Sequence, residues 1–194
     1  EAGKILTGLH GRLDRVEQKD SSFREVVTEA DKLAEKQIIE ILAAAFPDSG
    51  FWAEESGLTG KTDSETVWII DPIDGTVNYV NGIPFCAVSI ACFRQGSLDV
   101  GVVYNPFTRE FYYAQRGWGA WLNETRIKVS SARMITEALL AAAFSAKTTS
   151  GRENEYKIFA YLNARSRGCL RTGSAAINFA LLARGSLSGT WGRA

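Results

Sequence analysis

The sequence has little of what much enzyme chemistry is built on. Among 194 residues there are one histidine, three cysteines, four prolines and one methionine. The cysteines, Cys86, Cys92 and Cys169, are an odd count without metal-ligand spacing. They form neither a disulfide framework nor a zinc site, so a reducing, cytoplasmic compartment is expected. A Ser-His-Asp or Cys-His catalytic group would need His10, which reads as a surface residue of the first helix. Ser174 lacks the Gly-x-Ser-x-Gly setting of a serine hydrolase nucleophile. The longest apolar runs, near 139–144 and 175–183, fall far short of the ~20 residues of a spanning helix. Net charge is absent too: Lys+Arg and Asp+Glu are both 22, which favours neither nucleic acid nor an anionic membrane as partner. No basic segment leads into an apolar one at the start, and residues 1–6 read as the middle of an amphipathic helix, so further residues are expected before them.

What is present is an ordinary globular composition, 45% hydrophobic and 23% charged, which excludes a disordered or collagen-like chain. Thr28, with Asp31 three residues on, opens a long helix whose apolar stripe runs from Leu33 to Ala45 and stops at Pro47. Residues 51–53 read as a short strand, 57–65 as an exposed loop and 66–70 as a buried strand. Runs at 85–93, 98–104, 110–115 and 117–129, separated by turn residues, predict an antiparallel meander. Past residue 130 the pattern becomes strand (138–144), helix (153–164), helix (173–183) and strand (187–191). The division expected is an α+β domain over 1–130, carrying most of the site, and the start of an α/β domain over 131–194. A parallel layer with so few strands leaves its faces bare, so more chain is expected after Ala194.

The chemistry lies in acids around one strand end. Glu54 and Glu55 follow the short strand, and Asp71 and Asp74 flank the exit of the next. Carboxylates so placed are costly without something positive between them. Pro72 fixes the backbone and leaves the Ile73 carbonyl free to point with both carboxylates, an all-oxygen set that suits Mg²⁺ rather than zinc. Gly75 permits close approach of a ligand, and Thr76 starts a segment whose amides suit phosphate. Metal ligands beside a phosphate cradle form the layout of a metal-assisted phosphoesterase. Asp-Pro and Asp-Gly are also common turn dipeptides. Glu54 on a neighbouring strand and Asp31 at a helix start tip the balance to the metal reading. Glu55 reads as a supporting acid, because successive strand side chains point opposite ways. Trp118 and Trp121 read as core rather than a base-stacking platform, since no basic stripe accompanies them.

The run 68–79, Trp-Ile-Ile-Asp-Pro-Ile-Asp-Gly-Thr-Val-Asn-Tyr, resembles the signature of the inositol monophosphatase family, within a superfamily of Mg²⁺-dependent, lithium-sensitive phosphatases. The resemblance extends to Val27–Asp31 (Val-Thr-Glu-Ala-Asp), to Ala-Glu-Glu-Ser at 53–56, to sheet segments at 84–91, 101–104 and 116–120, and to Arg-Thr-Gly-Ser-Ala-Ala at 171–176. It implies the family's layered αβαβα sandwich, antiparallel in its N-terminal part. It implies two or three Mg²⁺ ions: Glu54, Asp71 and the Ile73 carbonyl for one, Asp71 and Asp74 for a second, and a weaker third near Glu54. Glu54 and Thr76, with Asp31 behind Thr76, would orient and activate water. Asp74 and the Gly75 and Thr76 amides would serve the phosphate end, and Gly173, Ser174 and Ala175 the alcohol part. Lys19 matches a family lysine near a metal-bound water. The implied partners are a small phosphorylated substrate, with myo-inositol 1-phosphate leading, and a second copy of the chain in a homodimer.

Two departures qualify the match. The family's later Trp-Asp motif, whose aspartate completes the second metal site, is not found. Gly192 stands where the family often has a substrate-binding glutamate, which leaves histidinol phosphate, fructose 1,6-bisphosphate or an adenosine bisphosphate open. The missing aspartate keeps open a reading of another class, a catalytically silent binding or scaffold protein.

Overall fold

A computed structural model describes residues 1–11, 16–18, 26–144 and 152–192. Lys19 lies outside the described residues. The main sheet has eight strands in the order β10-β9-β8-β7-β6-β5-β3-β4. They are β3 (Gly50–Ala53), β4 (Gly57–Gly60), β5 (Thr66–Asp74), β6 (Ala87–Arg94), β7 (Ser97–Asn105), β8 (Glu110–Gln115), β9 (Gly119–Leu122) and β10 (Thr125–Arg126). Every pairing is antiparallel except β3 with β5, which is parallel. A second sheet is all parallel, with β11 (Leu139–Ala143) between β12 (Gly168–Leu170) and β13 (Gly189–Gly192). A small antiparallel pair, β1 (Val16–Gln18) and β2 (Val26–Thr28), leads into helix α2 (Glu29–Ala45). The other helices are α1 (Ala2–Leu9), α3 (Thr76–Val80), α4 (Arg152–Asn163) and α5 (Ala175–Ala183). The result is a mixed α/β sandwich, as expected, with a large, mostly antiparallel sheet and the meander in place over β6 to β10.

Helix α2 forms where the sequence predicts. The Thr28 hydroxyl accepts from the Asp31 amide, and the Asp31 carboxylate accepts from the Thr28 amide, a reciprocal capping box. Its buried face, Ala30, Asp31, Ala34, Glu35 and Ile38, repeats at helical spacing. That face joins Leu6 of α1 and Phe51, Ile70, Ile73, Tyr79 and Val88 in one core. The Tyr79 hydroxyl donates to the Leu6 carbonyl at 2.8 Å, tying α1 to the segment after the acidic strand.

Several details differ from the sequence reading. Residues 57–60, expected as loop, pair antiparallel with β3, and Gly57 and Gly60 have positive φ at either end of β4. Strand β5 continues four residues beyond the expected end, through both aspartates. A third parallel strand, β12, pairs beside β11. His10 is half-buried, packed against the rings of Tyr79 and Phe107. Trp118 is exposed rather than core. Helix α5 packs on β6 and β7 as well as on β11 and β13.

Ile70 is buried at the centre of this core, one residue before Asp71. Ile70→Ala should lower unfolding stability by about 2–5 kcal/mol. Urea unfolding with an unchanged slope checks this, and a loss under 1 kcal/mol would contradict the packing described.

Candidate active site

The two aspartates share a side because β5 is irregular. In a regular strand, residues three apart face opposite sides of the sheet. Between Asp71 and Asp74, β5 advances three residues while its partner β6 advances two, from Ser89 to Ala87. The extra residue is a bulge, and it restores the parity of the two side chains. Pro72 sits inside it, where its missing N–H costs no ladder bond. The Ile73 amide donates to Asp71 Oδ1 at 3.1 Å, folding the carboxylate over the bulge. Gly75 follows at φ +97°, and a Cβ there would lie 3.1 Å from the Phe85 carbonyl and 3.3 Å from that of Gly173. Only glycine makes this turn without strain.

Glu54 reaches the site from the parallel neighbour. Ala53 pairs with Ile70, and the Glu54 amide donates to the Ile70 carbonyl at 3.0 Å. One step on, Glu54 stands close enough to Asp71 for its charge to help raise the Asp71 carboxyl. Asp31 lies beneath, buried, accepting from the Thr28 amide at 2.8 Å and its hydroxyl at 2.6 Å. The Thr76 hydroxyl lies 3.0 Å from the Ile73 carbonyl and 3.5 Å from Asp31 Oδ1.

Asp74 turns toward the start of α5. It accepts from the Ser174 hydroxyl, from the Ala175 amide at 3.2 Å and from the Ala176 amide at 2.7 Å. Ser174 also caps α5 by accepting from the Ile177 amide at 3.2 Å. Beside this contact is a cavity of about 150 Å³, bounded by Asp74, Gly173, Ala175, Arg171 and residues 142–144.

Over residues 1–194 the sequence matches the profile described as the Inositol monophosphatase family. The chain belongs to that family. An inositol-1-monophosphatase of Synechocystis is 39% identical over 192 residues, covering 99% of this chain and 67% of that protein. A protein of Haemophilus influenzae named Nus factor SuhB is 36% identical over 189 residues, 97% of this chain and 71% of that one. The solved suhB extragenic suppressor protein of Bartonella henselae superposes with a TM-score of 0.92 at 35% identity, over 100% of this chain and 74% of that one. A solved IMPase/NADP phosphatase, complexed with Mg²⁺ and phosphate, gives 0.80 at 25% identity, over 95% and 67%. This chain is a phosphatase of the inositol monophosphatase type.

As a member of that family, the chain brings Glu54, Asp71, the Ile73 carbonyl, Asp74, Thr76 and Asp31 into one neighbourhood, with Gly173, Ser174 and Ala175 directly against Asp74. Two residues of this neighbourhood escaped the sequence reading. Glu35, one helical turn after Asp31, is buried and accepts from the amides of Glu55 at 2.8 Å and Ser56 at 2.9 Å. It thereby fixes the turn that carries Glu54. An acid inside the apolar stripe of α2 was the available signal. The other is Asn78, whose amide donates to the carbonyls of Phe85 and Thr172.

Electrostatically the site is a cluster of like charges. Burial raises Asp31 to about 6, against the pull of the Thr28 hydrogen bonds. Burial, and after it the charges of Asp74 and Glu54, holds Asp71 well above the usual carboxylate range. Burial raises Asp74 too, opposed by its bonds from Ser174, Ala176 and Ala175. None of the ion pairs among the described residues involves Asp31, Asp71 or Asp74. Nor, among the described residues, do three or more acidic, histidine or cysteine side chains stand in a ready-made metal cage, consistent with Asp74 engaging α5. The donor types themselves, carboxylates and a backbone carbonyl, fit a hard divalent ion.

Because these carboxyls hold protons more tightly folded than unfolded, the folded chain binds more protons between about pH 4 and the raised values. Chelator-treated protein should therefore lose stability as pH rises from 5.5 to 8.5. Thermal unfolding across that range checks it, and a rising midpoint would contradict the assignment.

Proposed function

We propose that the chain hydrolyses a small polyol or sugar phosphate, with myo-inositol 1-phosphate the leading substrate, by direct in-line attack of water. The observation that carries this reading is the convergence of Glu54 and Asp71 from adjacent parallel strands, with Asp74 brought to the same side by the bulge in β5. Glu54, Asp71, the Ile73 carbonyl and Asp74 would hold two to three Mg²⁺ ions. A bound ion supplies charge neutralisation at the phosphate and a more acidic water. The family's Mg²⁺- and phosphate-bound relative supports this choice of ion.

The chain's own groups do the rest. Glu54 accepts the proton lost by the attacking water, and the Thr76 hydroxyl orients that water. Asp31, ionised at neutral pH despite its raised pKa, holds Thr76 in place. The Gly75 and Thr76 amides face the phosphate oxygens. Water's oxygen bonds to phosphorus as the ester P–O bond breaks, giving inorganic phosphate and an alcohol that takes up a proton. Asp74, Gly173, Ser174 and Ala175 line the alcohol side. No covalent phospho-enzyme forms. Lithium sensitivity, a cytoplasmic location and a homodimer belong to the same family reading. Among the described residues no helix is long and apolar enough to cross a membrane.

Gly192 favours a wider substrate range. A Cβ there would lie 2.7 Å from the Ala143 carbonyl, so the family's glutamate does not fit this strand register. Histidinol phosphate, fructose 1,6-bisphosphate and an adenosine bisphosphate are the alternatives. The reading of another class, a catalytically silent binding or scaffold protein with an assembly role, rests on the missing Trp-Asp motif.

Phosphate release should be measured over these four esters with Mg²⁺ and with excess chelator. Release is expected only with Mg²⁺, and Glu54→Gln should lower kcat by about 10²–10⁴-fold while the fold persists. Undiminished turnover in chelator would refute the mechanism, and no release from any ester with Mg²⁺ would favour the assembly role.

A further inference from the structure

The segment 172–176 meets the segment 74–78 at two separate points. One is Asp74, which accepts from Ser174, Ala175 and Ala176. The other is Asn78, on α3, whose side-chain NH₂ donates at 2.8 Å to the Phe85 carbonyl and at 2.8 Å to the Thr172 carbonyl. Both N–H bonds of that amide are used, and they join chain segments 94 residues apart in sequence. Gly173 completes the fit. It has φ +86°, and a Cβ there would sit 2.8 Å from both the nitrogen and the oxygen of the Asn78 amide. Any other residue would push the loop off the clamp. The Thr172 hydroxyl meanwhile donates to Oδ1 of the buried Asn178 at 2.6 Å, anchoring the loop to α5 from its other side. The cavity beside Asp74 is walled by this same loop, through Gly173 and Ala175.

We propose that Asn78 is a positioning residue that sets selectivity for the alcohol part of the substrate. It fixes the distance between the loop 172–176 and the acidic bulge, and so the width of the cavity between them. The phosphate end depends on Glu54, Asp71, Asp74, Gly75 and Thr76; the Asn78 amide bonds none of them, and Asp74 keeps its own bonds to the start of α5. Releasing the clamp therefore loosens the alcohol wall and leaves phosphate chemistry in place. The inference rests on the phosphatase reading for its substrate consequence, and on the hydrogen bonds alone for its structural one.

The test uses Asn78→Leu, close in size but without donors, and Gly173→Ala, which inserts the excluded Cβ. Each is assayed with a polyol phosphate and with p-nitrophenyl phosphate, which has no hydroxyls to recognise. With the polyol ester, KM should rise about tenfold, the worth of one to two hydrogen bonds. With the phenyl ester, kcat and KM of Asn78→Leu should stay within about threefold, half a power of ten. The double variant should be no worse than either single one, because both release the same clamp. Amide hydrogen exchange over 172–176 should be faster in both variants. Equal losses on the two esters, additive effects or unchanged exchange would overturn the proposal. If Asn78→Leu does not fold, the smaller Asn78→Ser must give the same pattern. Wild-type protein inactive on both esters would refute the phosphatase reading, while exchange would still decide whether the clamp exists.

Discussion

The structure turns on carboxyl groups that repel one another and are nevertheless held side by side. Glu54 and Asp71 arrive on adjacent parallel strands, and the bulge in β5 brings Asp74 to the same side. Without the bulge, Asp74 would face the opposite side of the sheet. Asp31 comes from below, its position set by the cap of α2. Burial first, and the neighbouring carboxylates after it, raise Asp31, Asp71 and Asp74 above the usual carboxylate range. A site that stores such repulsion is built to be neutralised by something bound.

The surrounding fold serves that arrangement from two directions. The large sheet supplies β3 and β5 and therefore most of the acids. The smaller parallel sheet and α5 supply the helix start that grips Asp74. Buried Glu35 braces the turn after β3, and Tyr79 ties the segment after the bulge to α1. The acids are thus fixed by partners that take no part in the chemistry. Asn78 adds a second attachment between the two halves, beyond the reacting groups.

Much of this was legible in the sequence because it is local. The capping pair Thr28 and Asp31, the meander and the Asp-Pro-Ile-Asp-Gly-Thr string are each written in a few consecutive residues. The string revealed its chemistry through carboxylates at the end of a buried strand, which are costly there without something positive between them. What was hidden is what only long-range pairing determines. That β4 is a strand follows from its pairing with β3, since its own composition is that of a loop. That Asp74 bonds the start of α5 depends on residues 100 or more positions away. Glu35 looked like one more helix acid until the amides of Glu55 and Ser56 came to meet it. His10 reads as surface by its isolation, yet Tyr79 and Phe107 pack against it.

The central claim is that these acidic oxygens form a site for a divalent cation. The direct measurement is calorimetric titration of Mg²⁺ into chelator-stripped protein, beside Asp71→Asn and Glu54→Gln. The account predicts saturable binding to the unaltered chain that is lost or strongly weakened in both variants. Absence of binding to the unaltered chain, or equal binding by all three, would contradict it.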